Sequence, residues 1–145
     1  MNPVAAYQIS RVNGESPAGL VVMLYDRMLG TIEEGRMALA QGRLMDAQPP
    51  LLKAQRIACE LMSALDPGGG EIADNLRSLY VYTVATIEKA KTGGDPALLE
   101  GPARVLEPLR GAWRELASAA ETRDAVAMSR AAAAPVPQLA MGVAG

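Results

Sequence analysis

Apolar residues return along most of the chain at helical spacing. From Val21 through Leu24, Tyr25, Met28, Ile32 and Leu39 the steps are three, four and seven or their sums, which puts one stripe on one helix face. Ser16 followed by Pro17 predicts the start: serine can accept from orphan backbone N–H groups, and proline in the first turn loses no needed donor. Gly42 predicts the end. A second stripe runs through Leu51, Ala54, Ala58, Leu61, Met62 and Leu65. Pro50 would remove an early intrahelical donor from a helix begun at Ala47, so regular helix is expected only from about Pro49. It is expected to stop at Asp66, because the residue before Pro67 is pushed out of the α region.

A third stripe carries Ile72, Leu76, Leu79, Tyr80, Thr83, Ile87 and Ala90 and stops at "TGGDP". There Gly93 suits a left-handed C-terminal position, Asp95 a cap and Pro96 the next first turn. The fourth stripe, Leu98, Leu106, Leu109, Trp113 and Leu116, is interrupted by Pro102 and Pro108. Pro108 is predicted to kink or break that helix, at a propensity cost of about 3 kcal/mol. Residues 1–15 show no period and predict a mobile N-terminal arm, while alanine propensity predicts a short fifth helix from Thr122 to about Ala133, ahead of a disordered Ala/Pro tail. The expectation is an all-α protein: an arm over 1–15, an antiparallel four-helix bundle over 16–121, and the short helix and tail over 122–145.

Composition narrows the function. A chain of 145 residues makes one domain with a core of its own. The single cysteine, Cys59, cannot bridge internally and asks for no oxidising compartment. A net charge of −2 gives no electrostatic reason to expect nucleic acid. No signal-like segment occurs and no apolar run approaches the roughly 20 residues that span a bilayer, so a cytoplasmic protein without membrane insertion is expected. The absence of histidine removes Ser/His/Asp and Cys/His nucleophiles, histidine metal ligation and histidine phosphorelay. An enzyme is not expected, nor a cofactor or a metal.

The segment "LDPGGGEIADNLRSLYVY" tests that expectation, because glycines at a helix start can cradle a phosphate. A P-loop needs a strand before the glycines and a lysine after them; here a helix precedes and Glu71 follows, and an acid in the first turn would repel phosphate. The glycines therefore predict a corner. Glu33 and Glu34 are adjacent and point apart, which suits a solvated face, and Asp26 suits a pairing with arginine.

What remains unusual is apolar width. Hydrophobic residues make up 50% of the chain, with eight Met, one Trp, four Tyr and no Phe, and Leu20, Val22, Met23, Leu52 and Val84 lie outside the main stripes. Such width fits a groove for a partner helix, a plain core or a homodimer surface, and the pattern alone leaves all three open. Tyr80 and Tyr82 lie about 200° apart on a helix, so at most one points squarely into a core.

The order of motifs resembles the flagellar secretion chaperone family FliS. The matching elements are "VAAY" with Tyr7, "SPAGLVVMLYDRML" from Ser16, "KAQRIACELMSALD" from Lys53, "GGEIADNLRSLYVY", and "LRGAWRELA" from Leu109. The resemblance implies a cytosolic, non-catalytic, cofactor-free helical bundle that binds the C-terminal arm of unpolymerised flagellin, prevents premature assembly and delivers the subunit to the flagellar type III export gate. It implies too that the N-terminal arm, here with Val4 and Tyr7, lies over apolar bundle surface when no client is present and takes part in docking to the gate. For such a groove the expected contacts are apolar residues of helices two to four, Ile57, Leu61, Tyr80, Tyr82 and Leu106, each of which suits the core equally. Tyr25, Asp26, Glu71 and Asn75 match family motifs and are expected to hold the bundle together, Asn75 by bonding the glycine corner. Pro49, Pro50, Pro108 and the Ala/Pro tail depart from the family pattern. The alternative is a helical adaptor or chaperone for a different export substrate; whether the chain is a monomer or a homodimer stays open.

Overall fold

A computed structural model describes residues 3–7 and 16–133, and places four α-helices and two 3₁₀ turns among them. Helix α1 spans Pro17–Ala40, α2 Leu44–Ser63, α3 Gly70–Gly93 and α4 Glu100–Ala133; the turns are Pro3–Ala6 and Pro96–Leu99. The connections are short and consecutive helices run antiparallel. Helix α1 packs against both α2 and α4, and α2 against α3, whereas α3 and α4 barely touch. The result is an all-α bundle that is open along one side.

Local sequence explains most boundaries. Ser16 caps α1 by accepting from the Gly19 N–H at 3.0 Å, with Pro17 in the first turn. Asp95 accepts from the Ala97 N–H at 3.0 Å and starts the turn that feeds α4. At the end of α3 the left-handed residue is Gly94, φ 74°, one position beyond the expected Gly93, which still completes the helix. The α1–α2 contact is close because Gly35 leaves room for the fully buried Leu51.

Four boundary expectations are corrected. Helix α2 begins at Leu44, ahead of both prolines, with the Ala47 N–H bonded to the Arg43 carbonyl at 3.2 Å. The carbonyls that Pro49 and Pro50 cannot bond belong to Met45 and Asp46, both exposed, so water can satisfy them. The same logic carries α4 unbroken past Pro108: the partnerless carbonyl is that of the exposed Arg104. Helix α2 also ends at Ser63, earlier than Asp66, because Leu65 leaves the helix to pair with the arm through an antiparallel bridge to Tyr7. Finally, residues 122–133 continue α4 and form no separate fifth helix. The predicted tail from 134 onward, and residues 1–2 and 8–15 of the predicted arm, lie outside the described residues.

The core runs along the inner faces of all four helices, with Val21, Tyr25, Met28, Leu51, Leu61, Tyr80, Ile87, Leu106 and Trp113 at 0–1% exposure. No helix among the described residues is long and apolar enough to cross a membrane.

Candidate functional site

Because α3 and α4 pack so little on each other, their facing side chains line a groove of about 380 Å³. Ile72, Leu76 and Leu79 supply one wall from α3, at helical steps of four and three; Val105, Leu109 and Ala112 supply the other from α4. Trp113 forms part of the floor, and Asn75 is the one polar side chain in the lining. At one end Tyr82, a turn beyond Leu79, lies over Gly101, where an added Cβ would collide with its hydroxyl. Trp113 also meets the ring of Tyr7 from the N-terminal arm.

The arm is held by backbone, shape and aromatic contacts. The Asp66 N–H donates to the Ala6 carbonyl at 2.6 Å beside the Tyr7–Leu65 bridge. Gly69 keeps the corner tight: a Cβ there would meet the Ala73 Cβ at 2.7 Å and the Asp66 carbonyl oxygen at 3.0 Å, with the Ala6 Cα in ordinary contact at 3.4 Å. Gly70, φ 73°, then turns the chain into α3 in a conformation that side chains disfavour. Ala6 and Tyr7 are buried as a result. Val4 lies in the 3₁₀ turn, and its side chain falls outside the described residues.

Tyr7 reaches into a buried aromatic cluster. Its hydroxyl hydrogen-bonds that of Tyr80, which also bonds the Tyr25 hydroxyl at 2.6 Å. The Tyr7 ring meets the Trp113 ring edge to face at 5.7 Å between centroids, and Tyr25 meets Trp113 likewise at 6.1 Å. Burial pushes the pKa of all three tyrosines up, Tyr80 most strongly, so each keeps its proton. Trp113 Nε1 is buried close to the Tyr25 hydroxyl without forming a hydrogen bond.

A second depression, broad and open at about 790 Å³, lies on the outer face between α2 and α3. Leu52, Cys59 and Val84 give it apolar patches. Gln55 crosses its floor, donating to the Val84 carbonyl at 3.2 Å and to Glu88 at 3.0 Å while accepting from Lys91 at 3.1 Å. That network clamps α2 to α3 and lowers the Glu88 pKa, first through the Gln55 bond and then through Lys91. Among the described residues no group of three His, Cys, Asp or Glu is placed to hold a metal ion.

The residues singled out from the sequence separate by environment. Tyr82 is 42% exposed, whereas Ile57, Leu61, Tyr80 and Leu106 are core side chains at 0–4%. Tyr80 is thus the tyrosine of the pair that enters the core. Tyr25 joins the aromatic cluster, and Asp26 bonds Arg114 at 3.1 Å and Arg110 at 3.4 Å, tying α1 to α4. Glu71 sits in the first turn of α3, where its charge suits the helix dipole. Asn75 faces the groove and makes no bond to the glycine corner among the described residues. Sequence reasoning left Trp113 and Val105 out of the site. The lone tryptophan of an aromatic-poor chain was one available signal; Val105, Leu109 and Ala112 at steps of four and three were another.

The architecture defines a class: a helical bundle with an apolar groove between α3 and α4 and an N-terminal segment bound beside the α2–α3 corner. Comparison with known proteins gives the family. The sequence model described as "Flagellar protein FliS" matches residues 1–120. The flagellar secretion chaperone FliS of Vibrio cholerae is 31% identical over 108 residues, covering 74% of this chain and 79% of that protein. The protein of the same name from Salmonella typhimurium is 31% identical over 117 residues, covering 79% and 87%. That of Bacillus subtilis is 28% identical over 114 residues, covering 79% and 85%. The chain belongs to the FliS family.

Proposed function

We propose that this protein is a cytoplasmic flagellar secretion chaperone that binds the C-terminal arm of unpolymerised flagellin, holds it back from premature assembly and hands it to the flagellar export gate. Membership of a family whose relatives are named flagellar secretion chaperones supports the role. The observation that carries the binding mode is the α3/α4 groove, apolar along two helical turns.

The chemistry suits an unfolded client. An amphipathic segment that orders on binding needs an apolar trough for its i, i+3 and i+4 side chains, and the ordering costs roughly 2–5 kcal/mol that broad burial must offset. Ile72, Leu79, Val105 and Leu109 are the contacts we assign in the groove, with Tyr82 at its end. Ile57, Leu61, Tyr80 and Leu106 support these walls from below. The protein acts by binding and release, with no bond made or broken.

Flagellin with and without its C-terminal arm tests the reading by titration calorimetry. Binding confined to the intact protein is expected; equal binding of the truncated form would transfer the function to another export substrate.

A further inference from the structure

Ile72, Asn75, Leu79 and Tyr82 follow one another along α3 at steps of three, four and three, the spacing of a seam that receives a second helix. Leu76 is buried beneath that seam, Ile72 and Leu79 are half-buried, and Asn75 is exposed. Across the groove stand Val105, Leu109 and Ala112, all apolar. Asn75 therefore interrupts an otherwise apolar trough, and its side-chain amide bonds no other described residue. In the open groove water satisfies it. A helix laid in the trough strips that water, and an amide then left without partners costs about tenfold or more in affinity. The group that answers it is another carboxamide: its carbonyl accepts from the Asn75 NH₂ while its own NH₂ donates to the Asn75 carbonyl. A carboxylate only accepts and an ammonium only donates, and either brings an uncompensated charge into apolar surroundings. Apolar contacts alone discriminate poorly between registers one turn apart, whereas a single polar position in a seam fixes the register at some cost in stability.

We propose that Asn75 is the register residue of the α3/α4 groove: it selects an amphipathic client helix that carries an Asn or Gln within its apolar stripe, and sets that amide opposite itself. This rests on the chaperone reading above. Ile72 and Leu79 then receive the client's apolar side chains one turn to either side, and a client shifted by one turn places an apolar side chain on the Asn75 amide.

Two synthetic amphipathic helices, identical but for Asn or Leu at the centre of a leucine stripe, test this on the full-length protein. Fluorescence of Trp113, the only tryptophan and part of the groove floor, follows their binding. The wild type is expected to bind the Asn peptide about tenfold more tightly than the Leu peptide, the scale of a satisfied against an unsatisfied amide. Asn75→Leu breaks no bond in the free protein, so helical circular dichroism should not change, and it is expected to reverse the order. The Leu peptide binding more tightly to both proteins, as it would if Asn75 only aids solubility, overturns the proposal. So do an equal preference in both proteins, failure of both peptides to bind, and binding that survives Val105→Asp on the opposite wall, which would place the peptides outside the groove. In a second measurement each Asn and Gln of a synthetic flagellin C-terminal peptide is replaced in turn by Leu. One replacement should cost the wild type about tenfold in affinity and cost Asn75→Leu nothing. If every replacement acts alike on both proteins, the register role falls and the chaperone reading stands. A parent peptide that does not bind the wild type overturns the chaperone reading instead, and the designed pair alone then decides the role of Asn75.

Discussion

The hydroxyl of Tyr7, seven residues from the start of the chain, meets the hydroxyl of Tyr80 in the buried centre of the bundle, where Tyr80 also bonds Tyr25. One core residue therefore holds the arm and α1 at once.

Removing the two ends of that contact should have unequal effects. Tyr7→Phe keeps the ring against Trp113 and loses one hydrogen bond, a cost of about 1 kcal/mol. Tyr80→Phe strands both neighbouring hydroxyls and should cost about 2–3 kcal/mol. In urea unfolding the double variant should be less destabilised than the sum, since the two changes delete one shared bond; strict additivity would show that the hydroxyls do not interact.

Two glycines with similar crowding should tolerate alanine differently. A Cβ on Gly35 would strike Leu51, which is fully buried and has nowhere to go, so Gly35→Ala should cost about 1–3 kcal/mol by overpacking. A Cβ on Gly101 would strike the Tyr82 hydroxyl, but Tyr82 is 42% exposed and can swing outward. Gly101→Ala should leave stability within about 0.5 kcal/mol and widen that end of the groove. Thermal unfolding of the two variants checks the contrast, and an equal loss would mean that Tyr82 is fixed.

The bond from Asp26 to Arg114 and Arg110 joins α1 to α4 at a half-exposed position. Asp26→Asn should therefore cost less than about 1 kcal/mol, and high salt should erase the difference from wild type. A loss that persists in high salt would indicate a packing role for the side chain.

How much of this was legible in the sequence depended on whether the cause was local. The Ser16–Pro17 start, the Asp95 cap and the glycine corner were, because capping and left-handed turns are decided within a few residues. The start of α2 was misread because propensity argued against Pro49 and Pro50, while the exposure of the carbonyls they strand is a tertiary fact. The continuation of α4 past residue 121 was hidden because an alanine-rich stretch shows no apolar stripe to connect with the one before it. The groove was least legible. It exists because α3 and α4 fail to pack, and a missing contact between helices leaves no mark on the spacing within either one. For the same reason Ile57, Leu61 and Leu106 carried a pattern that suited core and groove equally, and burial alone separated them from Ile72 and Val105.

The buried tyrosines make stability depend on alkali, and the arm should report it. Burial raises the pKa of Tyr7, Tyr25 and Tyr80 above the ordinary 10.0, so in the folded protein all three stay protonated while their unfolded counterparts ionise. Above that pH the unfolded state binds fewer protons than the folded one, so stability falls as pH rises; below it the contribution is fully present. Each tyrosine contributes about 1.4 kcal/mol per pH unit to the fall. Lysines titrate in the same range, so the quantity to read is the difference between wild type and Tyr7→Phe. Urea midpoints at successive pH values should show the advantage of the wild type shrinking from about pH 10 upward, by roughly the slope of one proton. Because Tyr7 is tied down only through the arm, the arm should detach before the helices unfold, with Trp113 fluorescence changing ahead of helical circular dichroism. Coincidence of the two signals would mean that the arm is part of the cooperative core and leaves the aromatic cluster only when the bundle opens.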